Sequence, residues 1–378
     1  MNNLGIYIHL PFCIKKCLYC NFYSLFKSKE DIDNYCQKIV ETIQQYPFDH
    51  KIVDTVYFGG GTPILAGERN IGKILEAINK RFSLSSAEIT LEANPAYTLD
   101  KKLKSYKELG INRISFGVQS LDDNQLKTLG RSHTANEAIS TLEAAVSCGF
   151  NSVSADIMLG IPNDNLGRID YFIDTMSKIG VNHISAYMLK IEEGTPFEKM
   201  HMDRLCADDD ELSDIYEHTV NGLARAGFSQ YEISNFSKHA HQSKHNTKYW
   251  ELDDYIGIGA SAHSFIDNKR YSFSPNIEEF MSYKKPFDNM IFEGNGGDFT
   301  EFLMLGLRLN KGVSLGKAKK LYPNEDYKGI IDRAKNMEKI GLLNILPCKM
   351  FKDEINISLT TKGFLLSNTV ISNLLWGC

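Results

Sequence analysis

From residue 5 to about residue 235, short segments with a period of two alternate with longer segments whose apolar positions recur every three to four residues. The pattern predicts strands over Gly5–Leu10, Asp54–Phe58, Glu88–Glu92, Arg113–Gln119, Ser152–Met158 and His183–Leu189. Helices are predicted over Asp31–Tyr46, Asn70–Arg81, Leu99–Leu109, Asp122–Leu129, Ala135–Cys148, Gly167–Ile179 and Asp208–Ala226. Repeated strand–helix alternation indicates an α/β fold with a parallel sheet and right-handed crossovers. Fully buried parallel strands read as continuous apolar runs, but these strands alternate. Ile6 and Ile8 oppose Tyr7 and His9; Ile89 and Leu91 oppose Thr90 and Glu92. Ile114, Phe116 and Val118 oppose Ser115, Gly117 and Gln119, and Val153, Ala155 and Ile157 oppose Ser154 and Asp156. One face packs under helices; the other is polar, as expected of a barrel whose lumen holds a ligand. Six strand–helix units fall short of the eight that close a full barrel, so an open, partial (β/α)6 barrel is expected, with a doubly wound sheet as the alternative.

Beyond this core the pattern changes. Residues 236–298 are less regular and read as a connecting segment after a core spanning 1–235. Residues 299–378 read as a small α+β module, with helices over Thr300–Leu309, Tyr327–Ile340 and Phe364–Leu375 and strands over Leu342–Leu346 and Ile355–Leu359. Helices around a hairpin are winged-helix-like, yet the module lacks the basic face that nucleic acid would require. A net charge of −5 likewise gives no reason to expect nucleic acid or an anionic membrane. No basic, then apolar, leader opens the chain, and no apolar run approaches the roughly 20 residues that span a bilayer. With clustered thiols, this points to the cytoplasm.

Chemistry concentrates near the N-terminus, where Cys13, Cys17 and Cys20 are spaced C-x3-C-x2-C directly after the first strand. Thiolates on one loop suit a soft metal or an iron–sulfur cluster. Three ligands leave one iron of a four-iron cluster open. Structural zinc would want a fourth ligand, usually from a second C-x2-C pair, and none exists. Cys36, Cys148, Cys206, Cys348 and Cys378 have no partners at ligand spacing and read as incidental thiols. Gly59-Gly60-Gly61-Thr62-Pro63 follows the second strand at the same end of the sheet, where glycines let backbone approach a ligand. It is not a dinucleotide fingerprint, since G-x-G-x-x-G is absent.

Together with Glu92-Ala93-Asn94-Pro95, Ser115–Ser120, Gly130-Arg131-x-His133 and Asp156–Pro162, these motifs resemble the radical SAM superfamily. More narrowly they resemble the branch of oxygen-independent coproporphyrinogen III oxidase and its relatives. The resemblance implies that Cys13, Cys17 and Cys20 hold a [4Fe–4S] cluster whose open iron chelates S-adenosylmethionine. It further implies that Tyr7, Gly60, Gly61, Thr62, Glu92, Gln119, Arg131 and Asp156 contact that ligand; Lys190 and His263 are weaker candidates. A structural ion pair is the alternative for Glu92 and Arg131, and His9 either bonds near the cluster or supports the loop.

The oxidases of this branch carry a fourth cysteine two positions after the third; here that position is Phe22. C-x3-C-x2-C-x-F instead resembles the HemW-type haem chaperones, as do Tyr231–Phe236, His245-Asn246-x-x-Tyr249-Trp250 and Met304–Arg308. The implied function is to bind haem and pass it to acceptor proteins, a membrane-associated acceptor and a homodimer both being compatible. Oxidative decarboxylation of coproporphyrinogen III is the competing expectation. Within this resemblance His245 is the expected haem contact: a neutral imidazole is a common haem ligand, and a helix would set Tyr249 and Trp250 beside it.

Overall fold

A computed structural model describes residues 3–48, 52–84, 86–98, 100–347 and 355–377. Leu99, Cys348 and Cys378 lie outside the described residues. Six parallel strands follow one another in space as in sequence: β1 (Leu4–Leu10), β2 (Val53–Gly60), β3 (Glu88–Ala93), β4 (Arg113–Gln119), β5 (Ser152–Leu159) and β6 (His183–Met188). The alternation decides their faces. Leu4, Ile6, Ile8, Leu10, Ile114, Phe116 and Val118 are completely buried beneath helices. The intervening positions form the polar lumen.

Helix starts follow local capping more closely than the apolar pattern. Helix Lys29–Gln44 begins two residues before the expected Asp31, because Ser28 and Asp31 form a reciprocal capping box. Thr134 with Glu137, and Asp208 with Glu211, set the starts of Ala135–Ser147 and Asp209–Arg225 in the same way.

Residues 229–295 supply further strands to the same sheet. β7 (Ser229–Gln230) and β8 (Asn235–Ser237) extend it antiparallel beyond β6. β9 (Tyr255–Ile258) pairs parallel with β1, and β10 (His263–Ile266), β11 (Lys269–Ser272) and β12 (Ile291–Asn295) continue antiparallel from it. The described sheet runs from β12 to β7 without closing. Position 235 falls inside β8, so the expected boundary at 235/236 cuts a strand.

Helix Lys244–Glu251 lies at the N-terminal end of the barrel, where Glu88 accepts from the backbone N–H groups of Lys244 and His245. Residues 299–377 carry an antiparallel sheet, β13 (Val313–Ser314), β14 (Leu343–Pro347) and β15 (Ile355–Leu359), in the order β13-β15-β14 with helices around it. Arg308 donates to Ser367 within this module, and Asn310 N–H donates to Tyr231 C=O of the barrel side. The main apolar core runs from the barrel into the module, and Leu129, Met158, Ile161, Phe197 and Met202 form a smaller, separate cluster.

Candidate functional site

The cysteine loop leaves β1 and is tied back on itself. Leu25 N–H donates to Pro11 C=O at 2.7 Å, and Cys13 N–H to Leu25 C=O at 3.0 Å. Its far side is pinned by Leu18 N–H to Leu129 C=O and by Phe197 N–H to Leu18 C=O. Gly130 is required there: its φ of +74° is left-handed, and a Cβ would stand 2.8 Å from Leu18 Cγ. Gly61 is required at the loop's base, where a Cβ would meet the Phe12 backbone at 2.6 Å. Thr62 N–H then donates to Phe12 C=O at 2.8 Å.

Below the loop, at the C-terminal ends of the strands, lies a cavity of about 550 Å³. Cys13, Cys17 and Cys20 line it, as do Gly60, Gly61, Thr62, Glu92, Gln119, Arg131 and Asp156. All of the expected S-adenosylmethionine contacts except Tyr7 therefore face one space. Tyr7 lies deeper; its hydroxyl is 3.0 Å from His9 Nδ1 and its ring packs on Tyr57.

Arg131 donates to Cys17 Sγ at 3.3 Å and to the Gly117 carbonyl, while its Nε is buried without a partner. Glu92 accepts from Tyr57 O–H at 2.7 Å. Glu92 and Arg131 thus have other partners, and the structural ion pair left open for them is absent among the described contacts. Burial raises the Glu92 carboxyl to about 7 and the nearby Asp156 charge adds to the rise; burial raises Asp156 itself to about 6. Ser115 O–H donates to Asp156 at 3.3 Å. Gln119 has a left-handed φ of +73°, rare outside glycine, at an irregularity in the β4–β5 register. Its Oε1 accepts from Tyr187 O–H at 3.0 Å.

These donor sets fit the expected groups. Cys13, Cys17 and Cys20 are free thiols on one wall, and Cys13 Sγ lies 3.6 Å from Thr62 Oγ1. Among the described residues no His, Cys, Asp and Glu set is gathered tightly enough for a single metal ion. Thiolates that serve three different irons need no such convergence. Two buried carboxyls that enter no ion pair among the described contacts, and the orphaned Arg131 Nε, suit a ligand bearing both positive charge and a carboxylate.

The other candidates are already engaged or set apart. Lys190 lines the cavity mouth but pairs with Glu192 at 2.9 Å. His263 is exposed on β10 and pairs with Glu293 at 3.1 Å. The His9 ring packs where a Gly60 Cβ would project, 2.7 Å from its Cε1, and its Nε2 is buried without a partner. His245 lies buried in the barrel floor. Its Nδ1 lies 2.8 Å from Thr55 Oγ1, its Nε2 2.8 Å from Tyr249 O–H, and its ring stacks on Tyr57. Both ring nitrogens are engaged, and burial pushes its pKa down to about 3, so the imidazole is a neutral strut of the barrel floor with no nitrogen presented to iron. Tyr231, from another stretch of the resemblance, bridges His183 Nε2 and Ser243 N–H in the same floor, and Trp250 donates to buried Glu232.

Sequence reasoning missed Tyr57, Tyr187, Arg113 and His183 as lining residues. The alternation of β2, β4 and β6 carried that signal, since Tyr57, Arg113, His183 and Tyr187 all fall on inward positions.

Comparisons with known proteins now bear on this geometry. The family model "Radical SAM superfamily" matches residues 7–176. A heme chaperone HemW of Bacillus subtilis (strain 168) is 32% identical over 377 residues, covering 96% of this chain and 97% of that protein. A heme chaperone HemW of Escherichia coli (strain K12) is 37% identical over 268 residues, 70% of either chain. Among solved structures, the coproporphyrinogen III oxidase HemN of Escherichia coli, a radical SAM enzyme, superposes with a TM-score of 0.83 at 19% identity. That match covers 100% of this chain and 91% of the oxidase, and at such identity the likeness is one of fold. With near-complete coverage of a relative at 32% identity, the chain belongs to the HemW family within the radical SAM superfamily.

Proposed function

We propose that this protein is a haem chaperone: it binds haem and hands it to apo-acceptor proteins from a barrel that also holds a [4Fe–4S] cluster and S-adenosylmethionine. The observation that carries the reading is the end-to-end similarity to proteins named heme chaperone HemW. Phe22 supports it, standing where the resembled oxidases have a fourth cysteine. Superfamily membership implies the cluster and S-adenosylmethionine. When bound, the cluster supplies one electron that can cleave the sulfonium. Cys13, Cys17 and Cys20 would hold it. Glu92 and Asp156 would face the ligand's positive charge, Arg131 its carboxylate, and the Gly60–Thr62 backbone would let it approach closely. Tyr57 and Tyr187 fix the Glu92 and Gln119 side chains before any ligand arrives.

Among the described residues no helix is long and apolar enough to cross a membrane. We place the protein in the cytoplasm, with haem-acceptor proteins as partners, and leave nucleic acid out. Competing decarboxylase chemistry is separated by experiment. Protein reconstituted anaerobically should shift the Soret band of haemin and transfer haem to an apo-haemoprotein. With coproporphyrinogen III, S-adenosylmethionine and reductant it should form no protoporphyrinogen. Stoichiometric protoporphyrinogen would overturn the reading.

A further inference from the structure

We propose that haem docks at the mouth of the cavity, its macrocycle stacked on Phe22 and its two propionates held by Lys15 and Lys16, without a histidine on its iron. The inference rests on the haem-chaperone reading and names the surface that serves it. Phe22 is 68% exposed on the cysteine loop and lines the mouth together with Lys15 and Lys16. A large aromatic left in water at the rim of a deep cavity marks a binding surface where other exposed apolar side chains adjoin it. Ile14 and Phe26, 50% and 77% exposed, continue the apolar character onto the adjoining groove of about 200 Å³, whose other walls include Lys27 and Lys29.

Charge selects the occupant. Among the described contacts neither Lys15 nor Lys16 enters an ion pair, whereas Lys190 is neutralised by Glu192 and Lys27 by Glu278. An apolar plane with two carboxylates at one edge complements an exposed ring beside two free ammonium groups. An acidic protein partner would use the lysines but would not need a flat ring at the cavity's edge.

Iron ligation by histidine has no support at this end. His183 is the one histidine on the cavity wall among the described residues, and its two ring nitrogens already meet Ser154 Oγ at 2.7 Å and Tyr231 O–H at 2.9 Å. His245 is closed as well. The macrocycle and its carboxylates, not the metal, are therefore what this surface recognises.

The test titrates cluster-loaded protein with haemin, read at the Soret band, and with iron-free protoporphyrin IX, read by fluorescence. Both should bind with comparable affinity. Phe22→Ala should weaken both roughly tenfold, and Phe22→Trp should restore them. Lys15→Glu with Lys16→Glu should weaken both by a similar factor, with the difference shrinking at high salt. Cluster absorbance near 400 nm should be unchanged in every variant, showing that the loop is intact. Haemin binding that excludes the iron-free porphyrin would overturn the proposal in favour of an iron-ligated site; the cleft of about 470 Å³ at the barrel's base, which carries His241, would then be the candidate. Unchanged affinity in both variants would also overturn it, leaving the rim to an acceptor protein. Wild-type protein that binds neither ligand would instead refute the haem-chaperone reading itself.

Discussion

Replacing Glu92 by Gln should move stability and ligand affinity in opposite directions. In the unliganded protein the Glu92 carboxyl is held near 7, against 4.5 ordinarily, mainly because burial penalises its charge. The folded pKa lies above the unfolded one, so the folded state binds more protons between those values. Stability therefore falls as pH rises from about 4.5 through about 7, and the contribution is fully present only below that window. At ~1.4 kcal/mol per unit, the ionised carboxylate costs up to about 3 kcal/mol at pH 8, less what cavity water recovers. Glutamine keeps an oxygen to accept the Tyr57 hydroxyl but carries no charge. Glu92→Gln should thus raise the melting temperature of the unliganded protein at pH 8 by several degrees and flatten its decline between pH 5 and 8, on the order of 2–4 °C per kcal/mol. The same change removes an anion facing the ligand's positive charge, so S-adenosylmethionine should bind at least roughly tenfold more weakly by calorimetry. A variant less stable than wild type at pH 8, or one that binds S-adenosylmethionine unchanged, would refute the assignment of Glu92 as an unpaired carboxylate awaiting a cation.

Other substitutions test the frame around it. Cys17→Ala should abolish the brown absorbance and most bound iron after anaerobic reconstitution, whereas Cys36→Ala, buried in helix Lys29–Gln44 away from the cavity, should retain both. Gly61→Ala forces a methyl to within 2.6 Å of the Phe12 backbone, so iron and sulfide content should fall; Gly72→Ala, whose nearest contact is the mobile tip of Leu109 at 3.1 Å, should load normally. His245→Ala removes two buried hydrogen bonds and a stacked ring, and should lower unfolding free energy by about 3 kcal/mol in denaturant titration. A shift under about 0.5 kcal/mol would refute its role as a strut of the floor.

The lumen was legible because period-two alternation needs no knowledge of distant contacts: Tyr7, Glu92, Gln119 and Asp156 each follow from the residues on either side. β9 was not, since Tyr255–Ile258 is a four-residue apolar run interrupted by a glycine, and only its pairing with β1 reveals that it is a strand. Tyr57 and Tyr187 look like core aromatics until Glu92 and Gln119, which lie on other strands, meet their hydroxyls. A helix at His245 was a supposition, and what its ring meets was not legible at all. Thr55 and Tyr57, which pack against it, come from β2, some 190 residues away in sequence.

That strut belongs to a larger asymmetry between the ends of the barrel. At the base, several polar groups are tied to one another within the protein: Glu88 caps helix Lys244–Glu251, Tyr231 bridges His183 and Ser243, and Trp250 donates to Glu232. Arg113, buried in the partition between the lumen and the basal cleft, donates to Ser152 Oγ at 2.7 Å and to His241 C=O at 3.0 Å. A network of this kind fixes one closed arrangement, because opening it would leave several buried donors and acceptors unpaired at about 1–3 kcal/mol each. At the mouth the reverse holds, with Phe22 and the Lys15–Lys16 pair facing solvent without partners among the described contacts. Ligand exchange through the base would have to break that network, while exchange through the mouth breaks nothing. Haem and S-adenosylmethionine are therefore expected at the same end, where the occupancy of one can govern the release of the other.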